Sequence, residues 1–178
     1  MTSESEIKML CAGRHLSLVA RGNWEYATRA TKQPAVGIVA ITDDNRVVLV
    51  EQYRPPVGEH VIELPAGLSG DVAGSENESL LEAAKRELFE ETGYTATRWA
   101  KLVPGYSSPG LTDEMIVLFL AEGLSKTGRG GGDSSEAITV HEIAIDEVAE
   151  WVAAKGAKAD LKLYAGLFTA EHHRRSGK

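Results

Sequence analysis

The sequence predicts a mixed α/β domain of the α+β type, and three observations predict it. Short runs rich in Val, Ile, Thr and Tyr recur between turn residues, as strands do. Helical start and stop signals are confined to three later stretches. Strands and helices do not alternate regularly, so a doubly wound parallel sheet is disfavoured. Neither G-x-G-x-x-G nor G-x-x-x-x-G-K-[ST] occurs, which removes support for the common nucleotide folds.

In chain order, residues 14–30 read as two short strands broken at Gly22-Asn23, a hairpin signal. Ala35–Thr42 and Arg46–Tyr53 are β-rich runs joined by Asp43-Asp44-Asn45, a second hairpin. His60–Leu64 is a short strand stopped by Pro65. Residues 68–77 are a loop of Gly, Ser, Asp and Asn. Glu78–Thr92 is a helix with Leu81, Ala84 and Leu88 as its apolar stripe, stopped by Gly93. Thr97–Val103 and Glu114–Glu122 read as strands, the second almost wholly apolar, as a buried central strand is. Residues 125–135 are dominated by Gly and Ser and predict a mobile loop. Ala137–Ile145 resumes a strand. Asp146 is placed to cap a helix running to Lys155 and ended by Gly156. Asp160 is placed to cap a last helix whose expected inner face is Leu161, Tyr164, Ala165 and Phe168. His172 and His173 are adjacent, so they point apart on a helix, and the tail reads as a solvated end.

The 178 residues suffice for one domain with a real core. We divide them into an N-terminal strand segment, 1–34, and a main domain, 35–178. A net charge of -7 argues against non-specific binding to nucleic acid or to an anionic membrane. It leaves room for a phosphate-bearing small substrate, because a bound metal inverts the local sign. The single Cys11 excludes an intrachain disulfide, and the polar N-terminus is no signal peptide. The apolar runs are too short to span a bilayer. These features together predict a cytoplasmic protein.

Chemistry concentrates in Arg86-Glu-Leu-Phe-Glu-Glu-Thr-Gly93. Glu87 and Glu91 share one helix face at i, i+4, and Glu90 sits beside them. Like charges at that spacing repel, and they lie at a helix C-terminus, where the macrodipole is already negative. A helix built only for stability avoids this arrangement. A helix that holds a divalent cation uses it, because Mg²⁺ takes a few carboxylate oxygens together with substrate phosphates.

From Glu78 through Arg86, Glu87, Glu90, Glu91, Gly93 and Tyr94 the chain resembles the Nudix hydrolase signature, G-x5-E-x7-R-E-U-x-E-E-x-G-U. It departs upstream, where ten residues rather than five separate Gly67 from Glu78, an insertion of five. Val47–Pro55, the run Ile62-Glu-Leu-Pro-Ala-Gly67, and Pro109 sixteen residues beyond Gly93 are similar to ADP-ribose and nucleoside diphosphate sugar pyrophosphatases.

The resemblance implies an α/β/α sandwich around a mixed sheet, preceded by antiparallel strands that form a swapped homodimer. It implies hydrolysis of ADP-ribose, or of a related nucleoside diphosphate sugar such as GDP-mannose. The metal would be Mg²⁺, with Mn²⁺ as a substitute, held by Glu87, Glu90, Glu91 and the carbonyl of Ala66. Arg86 would orient the glutamates by ion pairing. Glu136 is the implied general base on the attacking water, with Asp133 as the alternative. Arg54 is the expected phosphate grip, since guanidinium matches phosphate oxygens bidentately. Trp24, Tyr26 and Arg29 would help hold base and ribose, and Glu114 a sugar hydroxyl. A catalytically silent sensor of the same family would have lost a helix glutamate, and here all three remain.

Overall fold

Strands dominate the first two thirds of the chain. They are β1 (Ile7–Ala12), β2 (Leu16–Arg21), β3 (Trp24–Arg29), β4 (Ala35–Ile41), β5 (Arg46–Arg54), β6 (Glu59–Glu63) and β7 (Ala66–Leu68). Helix α1 (Leu80–Thr92) follows, then β8 (Tyr94–Tyr106), β9 (Met115–Lys126), β10 (Thr139–Ala144), helix α2 (Val148–Ala154), β11 (Lys158–Ala159) and helix α3 (Leu161–Arg175). The structure is a computed structural model and describes residues 6–31, 33–70, 77–132 and 137–177.

Alternation along the central strands builds two cores. On β4, Val36, Ile38 and Ala40 face the layer containing Ala84 and Leu88 of α1. Val39 and Ile41 face the opposite layer, with Val148 and Val152 of α2 and Leu163 and Ala170 of α3. β5 divides in the same way, with Val48 on the first side and Val47 and Leu49 on the second. Period-two side-chain placement thus converts continuous apolar runs into a sheet covered on both faces. The result is an α/β/α sandwich. The sheet order is β11-β6-β5-β4-β9-β8, with β10 added to β5 and β7 to β4. It is mixed: β4 and β9 run parallel, while β5 pairs antiparallel with β6.

The N-terminal strands stand apart as an antiparallel sheet, β1-β2-β3. They dock through one stretch of the main domain. The Ala27 N–H donates to the Leu111 carbonyl at 2.9 Å, and Thr28 Oγ1 donates to Asp113 Oδ2 at 2.9 Å. No helix among the described residues is long and apolar enough to cross a membrane.

Several expectations need correction. β1 and β7 were not anticipated: β1 is exposed throughout and β7 is three residues long, so neither carries a clean burial pattern. Helix α1 starts at Leu80 rather than Glu78, because Ser79 is the N-cap and its side chain accepts from the Glu82 N–H. Asp146 caps nothing; it lies in a 3₁₀ turn, Ile145–Glu147, that leads into α2. Asp160 does cap α3, accepting from the Lys162 N–H at 2.9 Å.

The inner face of α3 is also not the expected one. Leu163, Gly166 and Ala170 are buried, whereas Leu161 is 80% and Phe168 73% exposed. Close approach decides this. A Cβ at Gly166 would stand 2.7 Å from Leu64 Cδ1 and 2.9 Å from Val39 Cγ2. Small residues let the helix sit on the sheet, and the large apolar residues are turned away.

Candidate active site

Helix α1 delivers its glutamates to the loop that begins at Pro65. Glu87 is 8% and Glu91 3% exposed, unusual burial for carboxylates one turn apart. Both meet the backbone of Ala66 and Gly67. The Ala66 N–H donates to Glu91 Oε2 at 3.0 Å. A Cβ added at Gly67 would stand 2.0 Å from the carboxyl carbon of Glu87. Glycine is therefore required at 67 for room, so that backbone and carboxylate can share the space. Pro65 fixes this loop on the sheet, its carbonyl accepting from the Ile38 N–H at 2.8 Å.

Arg86 ties the cluster together. Its Nη1 donates to Glu87 Oε1 at 2.8 Å and to Glu90 Oε2 at 3.2 Å. Its Nε and Nη2 donate to the two Glu78 oxygens at 3.2 and 3.1 Å, and Nη2 also donates to the Leu68 carbonyl at 3.1 Å. The hydrogen bond to Glu78, helped by Glu87, raises the guanidinium pKa above its ordinary value, so Arg86 stays charged. Glu78 thus reaches the box arginine despite the insertion before it.

The exposed end of α1 is covered by glycines. Gly93, at φ 74°, makes the left-handed stop. Beyond it, the Gly132 N–H donates to the Glu90 carbonyl at 3.1 Å and the Gly131 N–H to the Glu91 carbonyl at 2.8 Å. The Gly93 carbonyl accepts from Thr127 at 2.9 Å and from Gly128 at 3.0 Å. Terminal carbonyls that lack helical partners are thereby satisfied from another part of the chain. The expected mobile loop is corrected in part: residues 125 and 126 belong to β9, and Thr127, Gly128, Gly131 and Gly132 are bound to the end of α1. Asp133 and Glu136 lie outside the described residues.

A cleft of about 810 Å³ opens over the cluster, lined by Ala66, Glu87, Glu90 and Glu91 and also by Arg29, Arg54 and Glu114. Arg54 Nε donates to Glu63 Oε2 at 2.7 Å, and Arg29 Nε to Glu114 Oε1 at 2.9 Å. Trp24 and Tyr26 are not in this cleft. They line a separate pocket of about 330 Å³ with Arg21, Tyr106, Pro109 and Asp113.

Sequence reasoning missed Glu63, Gly132 and Lys162 as cleft residues. Glu63 had a signal, since it sits in the run Ile62–Gly67. Lys162 had none, because its place depends on how α3 returns to the sheet.

The donors suit a hard divalent cation. They are carboxylate and carbonyl oxygens around a buried negative cluster. Among the described residues no three carboxylate, imidazole or thiol groups are gathered so as to hold a metal ion by themselves. Arg86 stands between Glu87 and Glu90, donating to both.

Comparison with known proteins bears on the family and the fold. The NUDIX domain family model matches residues 31–167. The methanol dehydrogenase activator of Bacillus methanolicus is 38% identical over 122 residues, covering 68% of this chain and 63% of that protein. The ADP-ribose pyrophosphatase of Bacillus subtilis (strain 168) is 38% identical over 119 residues, covering 66% of this chain and 62% of that protein. The chain therefore spans somewhat less than two thirds of these relatives' length. A crystal structure of an ADP compounds hydrolase superposes with a TM-score of 0.75 at 20% identity, covering 98% of this chain and 95% of that one.

Proposed function

The chain belongs to the NUDIX family, and from that premise we propose that it hydrolyses the diphosphate bond of ADP-ribose or a related nucleoside diphosphate sugar, releasing a nucleoside monophosphate and a sugar phosphate. The observation that carries this reading is the pair of buried carboxylates, Glu87 and Glu91, converging on Ala66 and Gly67 in a cleft that also holds Arg54. The name of the Bacillus subtilis relative supports the substrate class.

Family members need a divalent metal. In this chain Glu87, Glu91 and the Ala66 carbonyl would hold Mg²⁺, with Mn²⁺ as a substitute, and Glu90 would share a second ion. When bound, the metal supplies charge neutralisation at the diphosphate and a polarised phosphorus. Arg86 holds Glu87 and Glu90 in place. Arg54 binds substrate phosphate, using donors beyond the Nε committed to Glu63. Glu136 takes the proton of the attacking water, with Asp133 as its alternative. The sequence supports this, since Glu136 closely precedes the strand that begins at Thr139. Arg29 and Glu114 bind the sugar side of the nucleotide, and Trp24 and Tyr26, which lie outside their own chain's cleft, offer a face for the base across the swapped dimer.

Residues 1–34 act as the dimer-forming segment and 35–178 as the hydrolase domain, in a homodimer with swapped N-terminal strands. Exposed Ile7, Met9, Leu16 and Leu18 on β1 and β2 support an interface there.

A panel of ADP-ribose, ADP-glucose and GDP-mannose with Mg²⁺, scored for monophosphate release, tests the reading. ADP-ribose is expected to be the best substrate. Faster release from GDP-mannose would move the assignment to a nucleoside diphosphate hexose, and no release from any would overturn it. Glu136→Gln is expected to lower kcat by about 10²–10⁴, the range of general acid–base catalysis; an undiminished kcat moves the base elsewhere.

A further inference from the structure

Among the described residues, four cations line the cleft: Arg29, Arg54, Arg86 and Lys162. Three of them are bound to carboxylates that line the same cleft. Arg29 holds Glu114, Arg54 holds Glu63, and Arg86 holds Glu87 and Glu90. Moving any of these arginines off its carboxylate would uncover that carboxylate in the cleft, where it repels a substrate phosphate, so each offers phosphate only the donors its partner leaves free. Lys162 differs. Its ammonium is paired with Asp160, which lies outside the main cleft, in a small adjoining pocket of about 50 Å³ that shares Arg54, Glu63, Ala66 and Lys162 with it.

Asp160 is also provided for without the lysine. Its Oδ1 caps α3 by accepting the Lys162 backbone N–H at 2.9 Å, and that bond is independent of where the ammonium points. The base of α3 is itself fixed. The Asp160 N–H donates to the Ile62 carbonyl at 2.9 Å, and β11 pairs in parallel with β6 at Lys158↔Val61 and Ala159↔Ile62. Lys162 is therefore a flexible four-carbon arm on a rigid mount, one strand away from Glu63, and its ammonium carries three donors. Its side chain is 36% exposed, so it moves without breaking a packed core.

We propose that Lys162 is a substrate-binding residue that leaves Asp160 and donates to the diphosphate when the nucleotide enters the cleft. This rests on the diphosphate substrate proposed above. In this role Arg54 is the fixed anion contact, held by Glu63, and Lys162 is the one that changes partner. The Asp160–Lys162 pair keeps the cleft from presenting an unpaired cation to small anions, and the diphosphate competes for that cation with more charge than one carboxylate carries.

The test is steady-state hydrolysis of ADP-ribose with saturating Mg²⁺ by Lys162→Met and Lys162→Arg, each checked for an unchanged melting temperature. Lys162→Met is expected to lower kcat/KM by roughly tenfold to a hundredfold, the span of a charge-assisted hydrogen bond. Its KM should also respond less steeply to ionic strength than that of the wild type. Lys162→Arg should recover most of the loss. Asp160→Asn keeps a capping side chain and releases the lysine, so its KM should not rise. A Lys162→Met enzyme within twofold of the wild type, or a loss that arginine does not restore, would overturn the proposal. Wild-type protein that fails to hydrolyse ADP-ribose would instead remove the functional reading on which it rests.

Discussion

Tyr94 shows how one side chain is tied into the site's frame. It follows the glycine that ends α1, and its hydroxyl donates to Glu142 Oε1 on β10 at 2.5 Å. Burial first, and the Glu142 carboxylate second, push its pKa up to about 12 from an ordinary 10.0. Folded protein therefore keeps the phenolic proton where unfolded chain releases it. Its contribution is fully present below pH about 10 and is lost as pH rises toward about 12. Urea unfolding across that range should show wild-type stability falling more steeply than that of Tyr94→Phe; parallel curves would mean the hydroxyl is not held as described. Glu51 behaves in the opposite sense. The hydrogen bond from Lys155, and then that from His141, hold its carboxyl below its ordinary value of 4.5. Its stabilisation is present above that value and disappears as pH falls through the lowered one. Residue-scale chemistry was the part most readable from sequence, since Arg86, Glu87, Glu90 and Glu91 are neighbours on one helix and their spacing alone puts them together. Lys162 reaches the same cleft through β6, β11 and α3, and no local pattern records that.

At the scale of elements, the site depends on how α1 ends. Three glutamates at a negative helix terminus are unfavourable, and the glycine segment offsets part of this by donating N–H groups to the last carbonyls. The same glycines were read from composition as a mobile loop. Composition reports what a segment cannot bury, and here the bonding is through backbone, which needs no side chain. Gly130 has φ 66°, and a Cβ there would stand 2.4 Å from the Thr92 carbonyl carbon. Gly130→Ala should release the segment: hydrogen exchange at Gly131 and Gly132 should accelerate and the melting temperature should fall. Gly105→Ala is the control, since a Cβ there meets nothing within 4 Å. Equal exchange in both variants would contradict the clamp. The element that sequence misread most was α3. Leu161, Tyr164 and Phe168 make a regular apolar stripe, yet contact with the sheet is made by Leu163, Gly166 and Ala170. Hydrophobic periodicity identifies an apolar face but not which face lies closest to a neighbour, and here a glycine decided that.

On the scale of the whole molecule, two separated bodies of sheet meet at one edge of the cleft. The N-terminal sheet holds residues 111–114 through Ala27, Thr28 and Arg29, so Glu114 arrives in the cleft already paired to the first sheet. Apolar strands, turn residues and helix signals indicated a mixed α/β domain, and the family resemblance implied the α/β/α layering that the two cores form. The separate three-stranded sheet was legible only as a hairpin, since β1 buries nothing within one chain. Its exposed apolar face and that of α3 predict a dimer in sedimentation equilibrium, and a monomer at micromolar concentration would remove the swapped-strand arrangement. The central claim is that Glu87 and Glu91, set against Ala66 and Gly67, are the metal-binding part of a diphosphate hydrolase. The most direct measurement is Mg²⁺-dependent release of AMP from ADP-ribose by Glu87→Gln beside the wild type. A loss on the order of 10²–10³-fold, the cost of removing a preorganised electrostatic group, is the predicted result. Turnover equal to the wild type would contradict it.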